Sequence, residues 1–85
     1  MDLVSIEKAL IEEIAIILAV PVDADTDLLA DAGLDSFSTM QVIVFLEEEF
    51  GVEVPEDQFD INKFASVATI AGWVLPLISA REPAR

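Results

Sequence analysis

Ser36-Phe37-Ser38-Thr39-Met40-Gln41-Val42-Ile43-Val44-Phe45-Leu46-Glu47-Glu48-Glu49-Phe50 runs without Pro or Gly between Asp35 and Gly51. The pattern predicts a helix over 36–50, with Asp35 or Ser36 able to cap its first turn and Gly51 able to end it. At about 100° per residue its apolar side chains fall on two stripes, where one would suffice for a bundle helix. Val42, Ile43, Leu46 and Phe50, with Thr39, form the first at i, i+3, i+4, i+7 spacing. Phe37, Met40 and Val44 form the second, in an arc shared with Gln41, Glu47 and Glu48. The first is assigned to the core and the second to solvent. An exposed Phe-Met-Val patch ringed by carboxylates suits docking, its apolar centre supplying affinity and its acidic rim steering a basic partner. The competing arrangement buries both stripes against neighbouring helices, and periodicity alone does not separate the two.

On the N-terminal side, Leu3, Ile6, Leu10, Ile14 and Ile17 recur at steps of three and four, with Glu7, Lys8, Glu12 and Glu13 between them. That predicts an amphipathic helix from Leu3 to Leu18, stopped by Pro21. The stretch Pro21 to Asp35 has no sustained period and is expected to be a long ordered loop, pinned to the core by Leu28, Leu29 and Leu34 and turned at Gly33. On the C-terminal side, Val52 and Val54 lead extended into Pro55. Pro55-Glu56-Asp57-Gln58-Phe59 suits a helix of one or two turns, with Pro at its start and acids in its first turn. A last helix carries Val67, Ile70, Ala71 and Val74 on one side, with Pro76 expected to kink or end it. The expected fold class is all-α: a four-helix bundle with a long loop between the first two helices and a short third helix. Residues 1–80 are read as one domain and 81–85 as a frayed tail.

Composition narrows the function. The 85 residues include 17 acids against 4 bases, a formal charge of −13. This opposes contact with nucleic acid, whose binding is driven by phosphate neutralisation, and points to basic partners. There is no Cys and no His. Disulfides and thiolate nucleophiles are therefore excluded, and a Ser-His-Asp hydrolase cannot be built from this chain alone. The balance leans away from an enzyme. The acidic N-terminal segment lacks the basic and apolar regions of a signal peptide, so a cytoplasmic location is expected. Phe64 to Ala80 carries no charge, but Ser66, Thr69, Gly72, Pro76 and Ser79 dilute it, and a buried bundle helix is preferred to a membrane anchor.

Two short motifs bear on chemistry. Asp23-Ala24-Asp25-Thr26-Asp27 opens like a calcium-binding EF-hand loop, yet Leu28 stands where that loop needs Gly and Leu34 where it needs the bidentate Glu. A solvated acidic loop is preferred, and no metal ligand is assigned. Ser36 follows Asp35 at the head of the second helix. Taken alone it is an ordinary N-cap. A hydroxyl at a helix N-terminus can also carry a phosphate, stabilised by unpaired N–H groups and the helix dipole. Asp35 opposes that by like-charge repulsion, and makes more sense as a contact for a modifying enzyme or its metal.

Gly33-Leu34-Asp35-Ser36-Phe37, followed by Leu46-Glu47-Glu48-Glu49-Phe50-Gly51-Val52-Glu53-Val54-Pro55, resembles the acyl carrier protein family over nearly the whole chain. In that family the Ser of the Asp-Ser pair bears a 4′-phosphopantetheine arm derived from coenzyme A, which implies Ser36 here. The resemblance implies a non-catalytic, monomeric carrier of an acyl or aminoacyl thioester, serving fatty acid, polyketide, nonribosomal peptide or aminoacyl transfer. Its implied partners are a phosphopantetheinyl transferase, a loading ligase or adenylating enzyme, and a downstream transferase or synthase. Asp35, Phe37, Met40, Gln41, Val44, Glu47 and Glu48 match the family's recognition surface. The missing Cys is then unsurprising, since the reactive thiol belongs to the prosthetic group. Phe37 follows the Ser where the fatty-acid type usually has Leu, and Gln41 replaces a usual Glu. Asp35-Ser36-Phe37, with Phe59-Asp60 and Asn62 to Ser66, looks more like D-alanyl and stand-alone aminoacyl carrier proteins, Phe64-Ala65-Ser66 resembling the latter especially. The alternative from another class is an unmodified acidic helical adaptor, with Ser36 a plain cap and Phe37, Met40 and Val44 its binding stripe.

Overall fold

In the computed structural model, which describes residues 2–54 and 60–81, helix α1 spans Leu3–Leu18 and α2 spans Ser36–Phe50. A 3-10 turn at Ile61–Phe64 precedes α3, Val67–Arg81. The described elements are thus three helices and one turn, with a long loop between α1 and α2, the all-α class that the sequence predicts. The short helix expected over 55–59 lies outside the described residues, as do 82–85. Arg81, read from the sequence as the first residue of a frayed tail, instead closes α3.

Each helix begins on a side-chain cap. The Ser5 N–H donates to the Asp2 carboxylate at 2.9 Å at the start of α1, and the Thr69 N–H donates to Ser66 Oγ at 3.1 Å at the start of α3. α1 ends on Ala19 in the left-handed region (φ 59°), ahead of Pro21. α2 ends on Gly51 (φ 67°), whose N–H donates to the Glu47 carbonyl at 3.0 Å. Glycine adopts that conformation without the Cβ clash that other residues incur.

The core is one cluster. Ile6, Leu10 and Ile14 of α1 meet Val42, Ile43 and Leu46 of α2 and Val67, Ile70, Ala71, Val74 and Ile78 of α3. The expected α1 stripe holds at its centre and loosens at its ends: Ile17 is half-buried, and Leu3, in the opening turn, is 41% exposed. Leu28 and Leu34 are buried, as the loop's apolar content required, and Leu29 packs partly against them. The loop is also tied by backbone: Leu28 N–H to the Ala65 carbonyl at 2.8 Å, Leu34 N–H to the Leu28 carbonyl at 2.8 Å, and Ala68 N–H to the Ala24 carbonyl at 3.0 Å. Gly33 makes the expected turn at φ 81°, which hands the chain to α2 in a fixed orientation.

α3 continues through Pro76 to Arg81. Proline removes the hydrogen bond back to residue 72 and its ring crowds that carbonyl, but Ile78, buried beyond it, anchors the final turn to the core. Phe64 belongs to the 3-10 turn, so the charge-free run is two elements. Trp73 clasps them together: its indole N–H donates to the Lys63 carbonyl at 3.1 Å and its ring meets Phe64 edge-on at 5.6 Å. Among the described residues no helix is long and apolar enough to cross a membrane.

Candidate functional site

The head of α2 is organised by Asp35. Its extended backbone (φ −122°, ψ −173°) aims the carboxylate across the first turn, where Oδ1 accepts from the Ser38 N–H at 2.9 Å and the Ser38 hydroxyl at 2.7 Å. The Asp35 carbonyl accepts from the Thr39 N–H at 2.9 Å and the Thr39 hydroxyl at 2.7 Å. Ser38 and Thr39 are buried, so their hydroxyls satisfy themselves on Asp35 instead of water. The Ser38 N–H, then its hydroxyl, hold the Asp35 carboxyl below its ordinary value by stabilising the ionised form.

The choice between Asp35 and Ser36 as the helix cap, open in the sequence, is decided by this geometry. Asp35 occupies that role, and Ser36 is the first helical residue, exposed to solvent and outside the capping bonds. Its hydroxyl stands at the positive end of the helix dipole with no structural duty in the cap. An exposed oxygen so placed fits attachment of a phosphorylated arm. Asp35, expected to serve a modifying enzyme or its metal, already has a structural task in the free protein.

The two stripes of α2 separate as expected. Thr39, Val42, Ile43 and Leu46 are buried and Phe50 is half-buried, whereas Phe37 is 74%, Met40 56% and Val44 47% exposed. The arrangement that buries both stripes is therefore wrong for this fold. Gln41 and Glu48 are exposed beside the outer stripe. Glu47 differs: it is half-buried, and its Oε2 accepts from the Val54 N–H at 3.1 Å, tying the end of α2 to the extended segment after Gly51.

The outer stripe also forms one wall of a groove of about 380 Å³ between α1 and α2, lined by Phe37, Met40, Gln41, Val44, Phe45 and Glu48 on one side and Glu13 and Ile17 on the other. The contribution of α1 was not visible in the sequence, where Ile17 reads as core and Glu13 as solvated surface. The Asp23 and Asp27 carboxylates serve the loop itself. Asp23 Oδ1 accepts from the Asp25 N–H and the Thr26 hydroxyl, and Asp27 Oδ1 accepts from the Ala30 N–H. Among the described residues no three carboxylates come together as a metal site.

Residues 8–74 match the family described as phosphopantetheine attachment site. The chain belongs to this family of carrier proteins. Within it, the protein is 36% identical over 69 residues to an aminoacyl carrier protein of Agrobacterium fabrum, covering 79% of this chain and 83% of that one. It is 33% identical over 67 residues to an acyl carrier protein of Helicobacter pylori, again covering 79% and 83% respectively. The protein is a non-catalytic carrier of the acyl or aminoacyl type whose prosthetic group is phosphopantetheine. The absence of Cys and His from the chain is consistent with that division of labour. When bound, the group supplies the thiol on which cargo rides as a thioester, and the protein supplies a rigid mount and a surface for enzymes to read.

Proposed function

We propose that Ser36 is the attachment residue and that the protein is a discrete carrier presenting an acyl or aminoacyl group to successive enzymes of a biosynthetic route in the cytoplasm. The observation that carries this is the split at the head of α2: Asp35 takes the capping bonds and leaves the neighbouring Ser36 hydroxyl exposed. Ser36 Oγ forms a phosphodiester with the phosphopantetheinyl group of coenzyme A, and adenosine 3′,5′-bisphosphate departs. Asp35 holds the first turn, and with it the direction of Ser36. Phe37, Met40, Gln41, Val44, Glu47 and Glu48 form the recognition surface for the transferase, for a loading ligase or adenylating enzyme, and for the downstream transferase or synthase. The likeness of Asp35-Ser36-Phe37 and of Phe64-Ala65-Ser66 to aminoacyl carriers, together with the Agrobacterium relative's name, favours an amino acid as cargo.

The test is the intact mass after incubation with coenzyme A, magnesium and a broad-specificity phosphopantetheinyl transferase, with Ser36→Ala alongside. A phosphopantetheine-sized gain on the native protein alone is expected. A gain on both proteins would move the attachment point. No gain on folded native protein, with another carrier modified in the same tube, would favour the unmodified adaptor. Because Ser36 is outside the cap, Ser36→Ala should melt close to native, which keeps loss of modification separate from loss of fold.

A further inference from the structure

Any enzyme acting on Ser36 must cover the surface around it, and the first turn of one helix is too small for that. A specific interface buries about 800 Å² on each partner. The exposed surface next to Ser36 begins at Phe37, and Phe37 lines the groove between α1 and α2. The groove floor is apolar. Its α2 wall carries the Glu48 carboxylate and its α1 wall carries Glu13, and no basic side chain lines it. A second copy of this chain, with a formal charge of −13, would meet repulsion there. A partner bringing an apolar side chain with Lys or Arg beside it would meet complementary charge on both walls.

We propose that α1 supplies part of the seat for the phosphopantetheinyl transferase, with Glu13 pairing a basic residue of that enzyme and Ile17 meeting an apolar one opposite Met40 and Val44. This rests on the carrier function proposed above and adds α1 to a surface otherwise confined to α2. Glu13 acts on encounter and complex lifetime, remote from the reacting Ser36 oxygen, so its effect belongs in KM and not in kcat.

The experiment is steady-state transfer from coenzyme A by the broad-specificity transferase to native protein, Glu13→Gln, Glu13→Lys and Glu12→Gln, at low and high ionic strength. Glu12 lies next to Glu13 on α1, exposed and outside the groove. Its variant removes the same net charge without touching the groove. Glu13→Gln is expected to raise KM about fivefold at low salt with kcat unchanged, Glu13→Lys more than tenfold, and Glu12→Gln less than twofold. Added salt should narrow the gaps. Thermal melts of all four proteins check that the fold is intact. Equal KM values for Glu13→Gln and native protein would overturn the proposal, as they would if the groove sheltered the carrier's own cargo or a second copy instead. Equal effects from Glu12→Gln and Glu13→Gln would also overturn it, reducing the effect to net charge. A native protein that gains no mass would instead sink the carrier function itself, so the two failures are distinguishable.

Discussion

The two faces of α2 are built from the same kinds of side chain and do opposite work. On the inner face Val42 and Leu46 have no exposure at all; on the outer face Val44 and Met40 are about half exposed or more. One helix thus carries both the bundle's cohesion and its recognition surface. A half-exposed apolar stripe gains less for folding in the isolated chain than a buried one. Its contiguity beside Ser36 suits a surface that another molecule covers. The largest expected effect follows from the inner face. Leu46→Ala should lower the unfolding free energy by about 2 to 5 kcal/mol, from lost transfer energy and the cavity left behind. Small domains have about 5 to 15 kcal/mol in total, so urea unfolding should show a severely weakened protein. A loss below about 1 kcal/mol would mean that the inner face is not the core.

The same chemical change made on both faces tests the comparison directly. Val42→Thr places a hydroxyl in the buried core, where a helical Thr bonds at best a carbonyl one turn back in its own helix, and should cost about 1 to 3 kcal/mol. Val44→Thr, two residues away and facing solvent, should stay within about 0.5 kcal/mol of native. Equal costs in thermal and urea unfolding would show that the outer stripe is buried in solution.

How much of this was legible in the sequence depends on whether a feature is periodic or a matter of contact. Val42, Ile43 and Leu46 announce the inner face through spacing, and Leu28 and Leu34 announce an anchored loop because a free linker has no use for them. The Asp-Ser pair with its downstream acidic register pointed to the right family. Other features depend on what one element places against another. Ser66 was read as a residue diluting an apolar run and is in fact the cap that divides it. Trp73 carries no periodic sign that it clasps the 3-10 turn, and Pro76 gives no sign that Ile78 will hold the helix together beyond it. Glu47 and Glu48 are indistinguishable in the sequence, yet the first accepts the Val54 N–H while the second borders the groove. The choice between Asp35 and Ser36 as cap was open for the same reason: either side chain can accept that bond, and only the backbone direction at Asp35 decides it.

Asp35 is where the two faces are kept apart, since its cap turns Ser38 and Thr39 inward and leaves Ser36 and Phe37 outside. Its carboxyl is held below the ordinary value of 3.8, chiefly by the Ser38 N–H and then by the Ser38 hydroxyl. A depressed folded value stabilises the protein when the unfolded group is already ionised. The contribution is therefore complete above the ordinary value and is lost as pH falls through the lower folded one. Acidification also relieves the self-repulsion of a chain at −13, so the native melting profile alone mixes two opposing trends. Asp35→Asn separates them. Asn caps helices about as well as Asp, so it can still accept from the Ser38 N–H, while it cannot titrate. Melted side by side from about pH 6 down to about pH 3, the native protein should lose stability relative to Asp35→Asn, with the difference opening only below about pH 4. Parallel profiles would show that Asp35 holds the turn by geometry alone. A difference that opened with the opposite sign would mean that its charge is a liability beside the other acids. In that event the separation of the two faces would rest on packing by Thr39 and Val42 and not on the cap.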